Sequence, residues 1–279
     1  MNRRKFIYSS SLASLSVMGL NSCNIRNKDV KITILHTNDV HSQIEPFPFN
    51  HDKYPDRGGF ARRANIFKGL LKINPNTLIF DAGDIFQGTP YFNFFQGDLE
   101  LKLMKKMGYN AATIGNHEFD AGLNRLKKNI LNNNFQFISS NYDFTNTELE
   151  GLISKYKIYK KEGIKIGVFG LGIELNGLVN SSLYKETKYY DPVEITQEMT
   201  DILKNKEKCD LIICISHLGH SYQNTKISDL KLGSLTSDID LIIGGHTHTF
   251  LKKPEIIKNL KNRDVIINQV GSNGVYVGK

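Results

Sequence analysis

Eight short runs of β-branched and aromatic residues recur along the chain, and five of them are followed within three residues by His or Asp. The runs are Ile32–Leu35, Leu78–Phe80, Ala111–Ile114, Phe135–Ser139, Ile164–Leu171, Leu211–Ile215, Leu241–Ile243 and Val265–Val270. Such runs are the pattern of strands buried on both faces. Between them lie longer stretches with apolar residues at helical spacing: Phe60–Ile73, Leu99–Met107 ahead of Gly108, and Pro192–Lys206. Strands alternating with helices predict an α/β layered fold.

The polar residues sit where such a fold gathers its ligands, beyond the carboxyl ends of the strands. The first run leads into His36-Thr37-Asn38-Asp39-Val40-His41, and the second into Asp81-Ala82-Gly83-Asp84. The third leads into Gly115-Asn116-His117-Glu118. Ser216-His217 and Gly244-Gly245-His246-Thr247-His248 follow two later runs. Of the eight histidines, His41, His117, His217, His246 and His248 fall in these five loops. Imidazole mixed with carboxylate suits Zn, Mn, Fe or Co better than a thiolate metal or a calcium cage. Asp39 and His41 are two apart, as are His246 and His248, so a turn must bring each pair to one ion. The ligands suffice for two ions with one carboxylate bridging. Two metals about 3.5–4 Å apart can clamp the attacking and leaving oxygens of an in-line displacement.

These motifs resemble the calcineurin-like metallophosphoesterase superfamily, and within it the 5′-nucleotidase branch. The resemblance rests on His36 to His41, Gly58-Gly59-Phe60-Ala61-Arg62, Gly83-Asp84-Ile85-Phe86-Gln87-Gly88, Asn116-His117-Glu118-Phe119-Asp120, Ser216-His217 and Gly245 to His248. It runs from about Lys31 to the C-terminus. It implies a four-layer α-β-β-α sandwich in a single metallophosphatase domain over 31–279. By similarity, Asp39, His41 and His248 hold one divalent ion, Asn116, His217 and His246 hold the second, and Asp84 bridges both. Catalysis falls to His117, facing the substrate phosphate with Asn116, and to Asp120, which orients His117. Asn141 is a further candidate, for the phosphate or for supporting the residues behind it, although an Asn there also suits a turn. Arg62 and Arg63 are implied to pack or pair, not to catalyse.

The implied reaction is hydrolysis of a phosphate ester, 5′-nucleotidase-like release of phosphate from a nucleotide by a hydroxide bridging the two metals. Alternatives are another phosphodiester, a nucleotide sugar or a sulfur ester as substrate, or a non-catalytic surface lipoprotein subunit with structural metals. The second, nucleotide-recognition domain of the full-length relatives is missing after Lys279, so a separate polypeptide is a possible partner. The long connection Gln43–Gly59 is a candidate for serving the site or a partner, and Asn141–Lys155 is another long polar stretch.

The start of the chain reads as an address. Residues 1–22 give a charged Arg3-Arg4-Lys5 followed by Phe6 and a weakly apolar, serine-rich stretch, which resembles a twin-arginine export signal. Leu20-Asn21-Ser22-Cys23 resembles a lipobox, with Cys23 lipidated and residues 23–30 as a linker. Export to the periplasm or cell envelope with a lipid anchor in the membrane follows. Cleavage there removes Arg3, Arg4 and Lys5, so the formal charge of +8 becomes +5. The remaining lysines are scattered without a basic-aromatic motif, which argues against a nucleic-acid polymer as partner. Three cysteines exclude a four-cysteine zinc site. Cys214 is expected in a core; Cys209 and Cys214 could pair in an oxidising compartment, but nothing demands it. His51 and His220 read as surface residues and His36 as a packed one.

Overall fold

Alternation along each buried run decides which side chains meet between the sheets and which face helices. The computed structural model describes residues 29–279, so the expected export signal and Cys23 lie outside the described residues. Residues 32–279 form one compact unit. Strands β1 (Thr33–Thr37), β2 (Thr77–Asp81) and β3 (Ala111–Ala112) make a parallel sheet in that order. A short ribbon pairs β4 (Tyr142–Asp143) with β7 (Lys188–Tyr189). The larger sheet contains β5 (Tyr156–Lys161), β6 (Ile164–Leu171), β8 (Leu211–Ser216), β9 (Leu241–Gly244), β10 (Glu255–Lys258) and β11 (Asp264–Asn268). Its order is β10-β11-β9-β8-β6-β5. The four central strands are parallel, and the two edge strands antiparallel.

The sheets pack face to face. Leu78 and Phe80 of β2 meet Ile166, Val168, Ile213, Ile215 and Ile243 of the larger sheet. Alternate residues point the other way. Ile79 joins Phe67, Leu101, Met104, Leu126 and Ile130, which come from α1 (Phe60–Ile73), α3 (Asp98–Met107) and α4 (Gly122–Asn133); the short helix α2 (Pro90–Phe95) precedes α3. Ile212, Cys214, Ile242 and Val265 join Ile195, Met199 and Leu232. Those last three belong to α6 (Pro192–Asp201) and α7 (Asp229–Leu235), and the one-turn α5 (Ser181–Tyr184) precedes them. The result is the α-β-β-α sandwich. Cys209 and Cys214 are both buried and free, so they form no disulfide.

Local signals set the helix ends. Helix α1 stops at Asn74, ahead of Pro75, because the residue before a proline avoids the helical region. Helix α3 carries Asp98 and Glu100 in its first turn and Lys105 and Lys106 in its last, matching the helix dipole. It ends on Gly108 at φ 87°, whose N–H returns to Lys105 and Met104 carbonyls. The Asp191 carboxylate caps α6 by accepting from Val193 and Glu194 N–H groups. The helical pattern to Lys206 holds, but its final turn, Ile202–Lys206, widens to π geometry.

One predicted strand is absent as a strand. Phe135–Ser139 changes partner almost every residue: Ile138 N–H donates to Ala112, Ser139 N–H to Ser154 and Ser140 N–H to Gly170. It therefore ties the two sheets together and extends neither. The expected long connection 43–59 is ordered by aromatic contacts, with Phe47, His51 and Tyr54 mutually packed.

Candidate metal centre

Because the central strands of each sheet are parallel, their carboxyl ends lie along one edge, and the two edges face each other. Strand β1 delivers Asp39 and His41, β2 delivers Asp84, and the turn after β3 delivers Asn116 and His117. Across the seam, β8 delivers His217 and β9 delivers His246 and His248. The structure brings all of these together. Asp39, His41 and His248 each place a ligand-type atom within 4.8 Å of the others, and so do Asp84, His217 and His246. His41, Asp84 and His117 form a third such group, so Asp84 sits in two clusters. Asn116 Oδ1 lies 3.0 Å from His246 Nδ1.

The backbone is strained where the ligands project. Asp39, His41, Asp84, His246 and His248 all have positive φ, at 48°, 45°, 53°, 69° and 52°. Each such non-glycine residue costs about 1–3 kcal/mol and persists only where its surroundings over-determine it. The tight turns make the side chains two apart converge, as the spacing required. Two glycines make the approach possible. A Cβ on Gly83 would lie 2.7 Å from Gly115 N, and one on Gly245 would lie 2.8 Å from the Ala82 carbonyl.

The donor set fits divalent ions. His217 Nδ1 lies 2.6 Å from the Ala82 carbonyl and donates to it. In a neutral ring this leaves Nε2 bare, 3.0 Å from Asp84 Oδ2, in a fully buried setting. Two lone pairs so close need a cation: a proton or a metal. His41 Nε2 and His248 Nε2 likewise face each other at 2.9 Å, with Asp39 Oδ1 3.4 Å from the latter. Imidazole and carboxylate atoms converging without a thiol match Zn, Mn, Fe or Co chemistry.

The electrostatics of the cluster's own side chains show the same demand for positive charge. Burial raises the Asp84 carboxyl, but the His217, His117 and His41 rings outweigh it and hold it well below the usual carboxylate range. Burial lowers His217, yet Asp84 drives it up to about 10. His246 falls to about 4, through burial and the charge on His217. Burial lowers His117 too, but the hydrogen bond with Asp120 and the Asp84 charge bring it up to about 9.

His117 differs from the other ligand-type rings in having a carboxylate, Asp120, as its own partner. Its Nδ1 is 2.7 Å from Asp120 Oδ2, its side chain is 34% exposed, and its ring meets that of His41 edge-on at 5.3 Å. Its backbone N–H donates to Asp84 Oδ1 at 2.9 Å. Asn141 is not free for a phosphate. It is completely buried, its Oδ1 accepts from Gly172 N–H and its Nδ2 donates to the Gly172 carbonyl, both at 2.8 Å. Its amide is spent on the backbone of Gly172, a supporting and not a substrate-facing position.

Other histidines and arginines divide as follows. His36 is packed, with Nε2 3.0 Å from Asn268 Nδ2. His51 is half-buried among aromatic rings. His220, expected on the surface, is buried instead; its Nε2 is 3.5 Å from Glu255, because the turn after His217 folds back under Thr247. Arg62 pairs with Asp56. Arg63 is buried with its guanidinium carbon 4.2 Å from the Phe60 ring centre.

Sequence reasoning passed over Glu118. This fully buried carboxylate accepts four backbone N–H bonds: Ile85 and Phe86 on Oε1, at 2.7 and 3.3 Å, and Asp84 and Gly115 on Oε2, at 3.0 and 2.6 Å. It clamps the Asp84 turn to the Asn116 turn.

The chain belongs to the calcineurin-like phosphoesterase family, whose profile matches residues 32–250. It is 33% identical to a 5′-nucleotidase of Vibrio cholerae, over 90% of this chain and 46% of that protein. Among solved structures, a 5′-nucleotidase precursor from Thermus thermophilus superposes with a TM-score of 0.80 at 31% identity, covering 88% of this chain and 50% of the other. An NAD nucleotidase from Haemophilus influenzae superposes at 0.79 with 30% identity, covering 89% and 52%. The chain thus spans less than half the length of the curated relatives it matches.

Proposed function

We propose that this protein hydrolyses phosphate esters of nucleotides, in the manner of a 5′-nucleotidase, with two divalent cations as cofactors. The observation that carries this reading is Asp84, a buried carboxylate shared by two clusters of imidazole and carboxylate donors. Asp39, His41 and His248 would hold one ion and Asn116, His217 and His246 the other, with Asp84 common to both. When bound, the ions would supply Lewis acidity toward the phosphate and lower the pKa of water enough to give a nucleophile at neutral pH.

The chain's own groups do the rest. The half-buried His117 ring would face the phosphate, and Asp120 fixes it by accepting the Nδ1 proton, which leaves the opposite nitrogen as a donor to the phosphate or leaving oxygen. The Asn116 amide can hold a phosphate oxygen as well. The deeply buried Asp39, Asp84 and His217 have no water to solvate them, so the positive charge must come from the site itself.

The test is phosphate release from a nucleoside monophosphate by the full chain, stripped with chelator and then supplied with Mn2+ or Zn2+. Release is expected only with metal. A phosphodiester, a nucleotide sugar and a sulfur ester belong in the panel, and NAD too, given the name of one solved relative. An added polypeptide carrying the remaining domain of the longer relatives is expected to lower the nucleotide KM. No hydrolysis of any ester under these conditions would leave only a structural role for the ions.

Export with a lipid anchor on Cys23 is the companion proposal, supported by the Arg3-Arg4 and Leu20–Cys23 motifs. Among the described residues no helix is long and apolar enough to cross a membrane, so attachment would fall to the lipid. Labelled fatty acid is expected to enter the wild-type chain and not Cys23→Ala; equal labelling would discard the anchor.

A further inference from the structure

We infer that Gln269 is a positioning residue for the metal centre, clamping the loop that carries His246 and His248 from outside the segment matched by the family profile. The inference rests on the two-cation reading above. The profile match ends at residue 250, and Gln269 lies beyond it at the end of β11. Its side chain is completely buried. A primary amide offers both an acceptor and a donor, and this one spends each on the same loop. Oε1 accepts from Thr249 N–H at 2.5 Å and from Thr247 Oγ1 at 3.0 Å. Nε2 donates to the Gly245 carbonyl. The two backbone anchors therefore bracket the histidine-bearing residues on either side.

That loop needs an external hold. His246 and His248 both occupy left-handed backbone, which a short free loop would relax out of. Within residues 245–249 a single backbone hydrogen bond forms, from Thr247 N–H to the Gly245 carbonyl. The residues after Gln269 extend the same grip to the other side of the centre. Val270 N–H donates to Asn38 Oδ1, Asn38 Nδ2 donates to Gly271 and to Asp39 Oδ2, and Asn273 N–H donates to the Asp39 carbonyl. Gly271 N–H returns to Thr249. One stretch, 269–273, thus ties Asp39 to the His246–His248 loop. Those two elements supply all of the first ligand cluster except His41, and His246 of the second.

The experiment is a calorimetric Mn2+ titration of the chelator-stripped full chain, with thermal unfolding of the metal-free protein in parallel. Gln269→Met keeps the length and removes both hydrogen-bonding functions, and it is expected to weaken Mn2+ binding by about 10–100-fold, the usual effect of removing a group that orients ligands. Val265→Ala, in the helix-side core of the same strand, is the control for plain destabilisation. It should lower the melting temperature and leave Mn2+ affinity unchanged. Wild-type affinity in Gln269→Met overturns the inference, as does an equal loss of affinity in Val265→Ala. If Gln269→Met does not fold, amide exchange in the metal-free wild type decides: the Thr249 N–H should be protected, and free exchange there overturns the clamp. A wild-type chain that binds no Mn2+ would sink the metal reading itself, a result distinct from either.

Discussion

His117→Ala is expected to retain its divalent ions and lose about 10²–10⁴-fold in turnover, the range for a positioned proton donor. Asp39, Asp84 and His217 are buried, whereas His117 keeps a third of its side chain open and has one ring nitrogen already engaged by Asp120. Removing the imidazole takes away a group directed at substrate without opening either proposed ligand set. The backbone bond from residue 117 to Asp84 Oδ1 survives in alanine, so the bridging carboxylate keeps that support. Metal content measured beside the rate separates the cases. Normal turnover would remove His117 from the chemistry, and loss of metal together with activity would make it a ligand. Asp120→Asn should show a smaller loss with the same metal content, because the ring remains and only its anchor weakens.

Asp84→Asn should cost more than about 100-fold in Mn2+ affinity and abolish phosphate release, exceeding the effect of losing a mere orienting group. The amide is nearly isosteric, and its oxygen can still accept from His117 N–H. What it removes is the negative charge shared by two donor clusters, which the His217 ring faces at 3.0 Å. The fold should survive, since Glu118 continues to hold the turn through the Asp84, Ile85 and Phe86 N–H groups. Circular dichroism of the variant, with metal analysis of the purified protein, checks both halves. Full metal content in Asp84→Asn would show that the ions do not depend on a shared carboxylate.

The centre was legible because its signal is local: a buried strand ends and a ligand follows within a few residues. That pattern exposed Asp39, His41, Asp84, Asn116, His217, His246 and His248 as candidates, and the strands before them. It failed wherever the partner is remote or is backbone. Asn141 looks like a phosphate contact in sequence, yet its amide answers Gly172, which is 31 positions away. Glu118 and Gln269 were invisible for the same reason, since a carboxylate or amide that serves main-chain groups leaves no spacing to read. His220 looked like a surface residue because its loop is polar, and only the folding of that loop under Thr247 buries it. Edge strand β5, with four of its six residues Tyr or Lys besides a terminal Lys, has no apolar run to find. Its lysines suit an edge that must not recruit another strand. Helix α4 escaped notice because asparagines and lysines surround Leu123, Leu126 and Ile130, although their spacing is helical.

The close contact of Gly83 and Gly245 with the opposite chain segments has a mechanical consequence. Layered proteins often accommodate a guest by letting one layer glide over the other. Here a glide no wider than a methyl group would drive the Ala82 carbonyl into residue 245. The two layers are therefore interlocked beneath the candidate centre, which resists that glide.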